Sequence, residues 1–100
     1  MRYKQNIQTI NARVTKAVQQ QINNMLRRLE RYVPEINWAD IYLRKEGNQS
    51  TANRTVSVRL GIPGNDVFAS ESGTRWITIL RQVEEKLERQ LLRRKRTALF

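Results

Sequence analysis

The spacing of apolar residues divides the chain into six segments of secondary structure. Four segments alternate apolar and polar residues as half-buried strands do, and they are 3–11, 36–45, 54–62 and 66–70. Two segments repeat apolar residues every three or four positions, as amphipathic helices do, and they are about 16–32 and 76–96. The pattern therefore predicts the order β-α-β-β-β-α.

Turn and cap residues fit between these segments. Thr15 is a good N-cap for the first helix, and Pro34 ends it because the residue before a proline avoids helical geometry. Residues 46–53 form a polar loop, and Ile62-Pro63-Gly64-Asn65 is typical of a tight turn. Ser72-Gly73-Thr74 is expected to break the chain and to supply the cap of the second helix.

These elements predict an α+β fold in one domain over residues 1–100. The three later strands have short links and should form an antiparallel meander, while the first helix makes a long crossover. Both helices have one apolar face and can cover the same side of a four-stranded sheet, which gives a two-layer sandwich. Trp76 belongs to the apolar row of the second helix and is expected in the core.

Positive charge is the strongest functional signal. The chain has 19 Lys and Arg against 9 Asp and Glu, a net charge of +10, which favours nucleic acid or an anionic surface as partner. Between Arg75 and Arg96 there are eight basic residues and three glutamates, so 8 − 3 = +5 lies in one helix. A solvated face that only keeps the protein soluble would mix the two signs more evenly.

The basic residues of the second helix form a row beside its apolar row. The row consists of Lys86, Arg89, Arg93 and Arg96, and the chain then closes the cluster with Arg94 and Lys95. Arg27, Arg28 and Arg31 make a smaller patch on the first helix, which could continue this surface. Arginine is suited to phosphate because its guanidinium forms two parallel hydrogen bonds.

The sequence argues against an enzyme, a metal site or a small-molecule cofactor. Cysteine and histidine are absent, so the commonest nucleophile–base pairs and metal ligands are missing. The glutamates 84, 85 and 88 are better explained by helix ion pairs, with Glu85 four residues from both Arg81 and Arg89. Neither a membrane span nor a signal peptide is expected, which favours an intracellular protein.

Three aromatic residues are expected on the outer face of the sheet, away from the helices. They are Trp38, Tyr42 and Phe68. They could stack on bases, as they do in RNA-binding sheets, or cover the far face of the sheet, or contact a partner protein. The residue pattern does not choose among these roles.

Several stretches resemble the ribosome hibernation-promoting factors, also called ribosome-associated inhibitors, in their short form. The similar stretches are Val14-Thr15, 29–32, 62–69 and, most specifically, 85–91 followed by Arg94-Lys95. The family has the same element order. Thr9, Met25, Arg75 and Arg81 depart from it, since family members often have glycine, a basic residue and acidic residues there. The extra C-terminal domain of long members is expected to be absent.

The resemblance implies a non-enzymatic stress protein of the bacterial cytoplasm. Its partner would be the small ribosomal subunit with its 16S rRNA, bound in the groove where messenger RNA and transfer RNA meet. The contacts implied position by position are Arg28, Lys86, Arg89, Arg93, Arg94 and Lys95, and the charge pattern adds Arg31 and Arg96. A general double-stranded-RNA-binding module and a protein-interaction module remain alternatives.

Overall fold

Four strands form one sheet, and two long helices lie across one of its faces in the computed structural model, which describes residues 3–46 and 53–98, with side chains as far as Arg94. The elements are β1 Lys4–Ile10, α1 Lys16–Leu29, β2 Trp38–Lys45, β3 Arg54–Gly61, β4 Val67–Gly73 and α2 Trp76–Ala98. The predicted α+β order is confirmed. Most of the predicted loop, residues 47–52, lies outside the described residues.

The strands lie in the order β1-β2-β3-β4. β1 and β2 are parallel, because α1 carries the chain back to the other end of the sheet between them. β2, β3 and β4 are antiparallel neighbours, as their short links predict. β1 and β4 are therefore the two edges. Neither described helix is apolar over a length that could cross a membrane.

Alternating residues of the strands build the core beneath the helices. On the three later strands, β2 to β4, the side chains that face the helices are buried. These residues are Ala39, Ile41, Leu43, Val56, Val58, Leu60, Val67 and Ala69. The apolar rows of α1 and α2 pack onto them with Ile22, Met25, Leu26, Leu29, Ile79, Leu80, Val83, Leu87 and Leu91. β1 is more polar and more exposed, as its thin apolar pattern predicts.

α1 begins as predicted and ends earlier. The hydroxyl of Thr15 accepts a hydrogen bond from the backbone N–H of Val18 at 3.2 Å, which satisfies one free donor of the first turn. The α-helix stops at Leu29, and a 3₁₀ turn over Glu30–Tyr32 tightens the chain before Pro34. The following residues Val33 and Ile36 are buried, although they lie outside any helix or strand.

The predicted break at residues 72–74 is wrong for its first two residues. β4 continues to Gly73, because Ser72 pairs with Thr55 and Gly73 with Arg54. The hydroxyls of Thr55 and Ser72 lie 2.9 Å apart, which adds a cross-strand hydrogen bond to the ladder. α2 starts later than this segment, and the carbonyl of Arg75 accepts its first hydrogen bond, from the N–H of Ile79.

Trp76 is less buried than predicted, whereas Trp38 lies on the predicted face of the sheet. Trp76 is half-buried at the margin of the core, and the guanidinium of Arg54 lies 5.6 Å from its ring centroid. Trp38 does lie on the outer face of the sheet, but it is half-buried because it lies over Gly61, its partner on β3. A Cβ atom at Gly61 would overlap the Trp38 indole, so glycine is required there by close approach.

We expect Gly61→Val to destabilise the fold by about 1–3 kcal/mol, because the new side chain must displace the Trp38 indole. Urea unfolding followed by circular dichroism would measure the loss. In a Trp38→Ala background the same glycine substitution should cost much less, since the overlapping ring is gone. Equal costs in the two backgrounds would contradict the packing described for this pair.

Candidate nucleic-acid interface

An ion pair joins the two helices. α1 and α2 run in the same direction, side by side, and the Arg28 guanidinium donates to both carboxylate oxygens of Glu84 at 2.7 and 2.8 Å. The Glu84 side chain is only 15% exposed, whereas that of Arg28 is 47% exposed. The hydrogen bonds to Glu84 raise the pKa of Arg28. Arg28 therefore binds an acid of its own chain while keeping part of its side chain in solvent.

A second carboxylate of α2, Glu88, lies toward the 3₁₀ turn that follows α1. Hydrogen bonding to Glu88 is the main reason that the pKa of Tyr32 is raised. The predicted ion pairs of Glu85 with Arg81 and Arg89 are wrong, because Glu85 forms no ion pair with any residue that the structure describes. Because α1 packs beside α2, the ion pair forms at the neighbouring carboxylate, Glu84, with Arg28.

The opposite flank of α2 is tied to strand β4. Lys86, Gln90 and Arg94 are spaced by four residues, so they share one side of the helix. The Lys86 ammonium lies 2.5 Å from a Glu71 oxygen and also donates to the Ser70 carbonyl at 3.4 Å.

The other two side chains of this row bind the backbone. Gln90 donates to the Phe68 carbonyl at 2.7 Å and accepts from the Phe68 N–H at 3.3 Å. Arg94 donates to the carbonyls of Pro63, at 3.1 Å, and Asn65 in the turn between β3 and β4.

These contacts cover an open sheet edge. β4 is a terminal strand, so its outward N–H and C=O groups have no neighbouring strand. Side chains of α2 supply the missing partners at Phe68 and Ser70. Gly64, at the centre of the turn, has φ +100°, and any Cβ there would overlap the Arg94 guanidinium. Sequence spacing could show that the three side chains share a face, but not that the face meets a strand edge.

The remaining predicted contacts lie toward solvent. Arg89 and Arg93 are exposed on the open side of α2, and Arg31 is exposed at the end of α1. Lys95 and Arg96 lie within α2, but their side chains are outside the described part of the chain. Lys86 retains 42% side-chain exposure despite its ion pair. The predicted set is thus split between solvent-facing arginines and cations that hold the fold together.

The outer face of the sheet is a separate surface. Tyr42 and Phe68 are 45% and 43% exposed there, and the Arg59 guanidinium lies 4.8 Å from the Phe68 ring centroid. A groove of about 430 Å³ runs between them. Arg44 and Arg59 in this groove lie within 4 Å of Glu46 and Asp66, at 3.1 and 3.9 Å, so their charge is largely balanced. This face offers less attraction to a polyanion than the open side of α2.

Two further observations concern chemistry. Among residues 3–46 and 53–98, no three acidic, histidine or cysteine side chains come together as metal ligands would. The three glutamates of α2 also have different surroundings, because Glu84 is paired with Arg28, Glu88 lies toward Tyr32, and Glu85 is exposed. The site is thus a charged surface built on a rigid helix.

Residues 5–98 match the sequence model of a family described as sigma 54 modulation protein / S30EA ribosomal protein. The N-terminal domain of Protein Y from Thermus thermophilus has a similar structure, with a TM-score of 0.75 at 25% identity over 91% of this chain and 94% of that one. A ribosomal subunit interface protein from Coxiella burnetii has the same fold, with a TM-score of 0.77 at 16% identity over 94% and 99%. No curated protein sequence matches the chain. These findings confirm the resemblance to hibernation-promoting factors.

Gln90→Ala should loosen the edge of β4, because two backbone groups of Phe68 lose their partners at once. We expect a loss of about 1–3 kcal/mol in the free energy of unfolding and faster hydrogen exchange at the Phe68 amide. Gln82→Ala is the matched control, since Gln82 is exposed on the same helix. Unchanged exchange at Phe68 in the Gln90 variant would show that the edge does not depend on this side chain.

Proposed function

The chain belongs to the sigma 54 modulation protein / S30EA ribosomal protein family, a family of ribosome-associated proteins, and we propose that it is a ribosome hibernation factor. In this proposal it binds the decoding region of the small ribosomal subunit, contacts the 16S rRNA and blocks the sites of messenger RNA and transfer RNA. Translation is inhibited by occupancy, without catalysis. The protein would act in the cytoplasm of a bacterium under stress or in stationary phase.

The observation that carries the proposal is the sorting of charge around α2. Glu84 is paired with Arg28 of α1, and Glu88 lies toward Tyr32 in the 3₁₀ turn after α1. Arg89 and Arg93 are left exposed on the open side. The two arginines outnumber Glu85, the exposed acid one turn before Arg89, so this side of α2 presents a net positive surface that fits a phosphate backbone.

The cations of the predicted set have two roles in this mechanism. Arg89 and Arg93, with Arg31 beside the end of α1, would make the first phosphate contacts because solvent already reaches them. Lys86 and Arg94 fix α2 on the sheet and its turn, and Arg28 joins α2 to α1. The exposed parts of Lys86 and Arg28 could add attraction without leaving those contacts. Lys95 and Arg96 extend the basic sequence beyond the described side chains.

Recognition of this kind reads backbone shape and charge. Guanidinium groups bind phosphate oxygens in pairs and release condensed counterions, so affinity should fall steeply as salt rises. Double-helical RNA hides its base edges in a deep, narrow groove, which leaves shape and phosphates as the accessible features. A rigid helix with arginines along one side is suited to that task.

The charge-reversing double variant Arg89→Glu with Arg93→Glu should no longer co-sediment with ribosomes at about 0.1 M salt, where exposed charges still interact over ~10 Å. Both side chains are exposed, so the fold should survive, as circular dichroism and thermal unfolding would check. Lys86 is left unchanged because a glutamate there would face Glu71 and loosen β4.

The matched control is Lys4→Glu with Arg13→Glu, which changes the net charge by the same amount. Both residues are exposed and lie outside the two helices. This variant should pellet with ribosomes nearly as well as wild type. If the Arg89 and Arg93 variant still pellets like wild type, the assigned surface is wrong.

A general double-stranded-RNA-binding module would use the same charges but respond differently to competition. We expect free duplex RNA, added in excess over small subunits, to displace little of the bound protein, because a ribosomal groove presents phosphates on several sides. Pelleting assays with isolated small subunits would measure the displacement. Efficient competition by duplex RNA of arbitrary sequence would favour the general module instead.

A further inference from the structure

A second basic surface lies at the opposite end of α2 from Arg89 and Arg93. The first turns of α1 and α2 and the start of β3 surround a cleft of about 510 Å³. Its lining includes Arg54 from β3, Arg75 just before α2, and Trp76, Ile77 and Arg81 from the first turns of α2. None of these residues belongs to the surface proposed for ribosome binding.

The cleft concentrates positive charge without an acid to balance it. Three arginines line it, and its lining contains no aspartate or glutamate. Arg75 and Arg81 are exposed, and in the described part of the chain neither has a carboxylate within ion-pairing distance. Three like charges around one cavity repel each other, and an anion bound among them removes that repulsion.

One of the arginines is held in place. Arg54 donates to the Asn53 side-chain oxygen at 3.1 Å and to the Thr74 carbonyl at 3.2 Å, while its guanidinium lies over the Trp76 ring. Asn53 itself is buried, which anchors this arrangement to the interior. The side of the cleft formed by Arg54 and Trp76 is therefore preorganised, and Arg75 and Arg81 lie toward solvent at its rim.

The geometry points to a binding site for single-stranded RNA, with successive phosphates on Arg75 and Arg81 and a base against Ile77 and the part of Trp76 that Arg54 leaves uncovered. Trp76 is half-buried and Ile77 is 37% exposed, so the cleft joins apolar surface to the cations. Positive grooves that contain an aromatic side chain are the usual sites for unpaired strands, since every base has a face that can stack. A phosphopeptide with one phosphate would leave most of this charge unused.

The two tryptophans allow a test in the intact chain. In a ¹H–¹⁵N spectrum the Trp76 indole N–H reports on the cleft, whereas the Trp38 indole lies on the outer face of the sheet beside Gly61. We expect a uridine tetranucleotide without terminal phosphates to shift the Trp76 signal in a saturable titration. The Trp38 signal should stay nearly unchanged. A tetrapeptide with one phosphoserine should shift Trp76 only at much higher concentration.

Two variants with the same loss of charge locate the site. The double variant Arg75→Gln with Arg81→Gln should weaken the affinity measured at Trp76 by about tenfold. It should also make the negative slope of log affinity against log salt shallower by about 1.4, which is ~0.7 for each lost phosphate contact. Arg89→Gln with Arg93→Gln should leave both values within twofold of wild type. This second variant also separates the cleft from the ribosome-binding surface, because it alters only the latter.

Three results would overturn the inference. The tetranucleotide could leave the Trp76 indole signal in place, the Arg75 and Arg81 variant could bind as tightly as wild type, or the phosphopeptide could bind more tightly than RNA. Loss of ribosome pelleting in the Arg89 and Arg93 variant, with Trp76 still responding to RNA, would confirm the two surfaces as separate. Both glutamine variants should keep the wild-type dispersion of amide signals, which shows that they fold.

Discussion

The attachment of α2 on both of its flanks is the constraint on which the proposed binding surface depends. Its apolar row packs on the sheet, Lys86 and Gln90 bind the edge of β4, and Glu84 binds Arg28 of α1. With three sides of the helix occupied, only the fourth faces solvent. A helix held by its apolar row alone could rotate slightly. The polar contacts on either side fix its rotation, and so fix which cations point outward.

The ion pairs contribute orientation more than stability. Exposed pairs contribute only about 0–1 kcal/mol each, and Arg28 and Lys86 keep nearly half of their side chains in solvent. Their geometry is still restrictive, because a guanidinium that meets both oxygens of Glu84 accepts few relative positions of the two helices. The same charges can thus orient the helix pair and add to the positive field around it.

The fold could be predicted from the sequence because each element has a one-dimensional signal. Alternation places Val56, Val58 and Leu60 inward, and the helical period places Leu87 and Leu91 against them. The site was less predictable, since Glu84 and Glu85 both belong to the polar arc of α2 and only the packing of α1 decides which one is paired. Likewise, no local pattern indicates that Lys86 and Arg94 lie beside a strand edge, because that edge is set by sheet order.

The length of α2 allows its two basic ends to act independently. Arg81 and Arg89 are eight residues apart, which corresponds to about 12 Å along a helix. Exposed charges at physiological salt are screened over about 8 Å, so the field of one cluster is weak at the other. The glutamates at 84, 85 and 88 lie between the two clusters and reduce it further. A single rigid helix can therefore carry both proposed surfaces, each with its own dependence on charge.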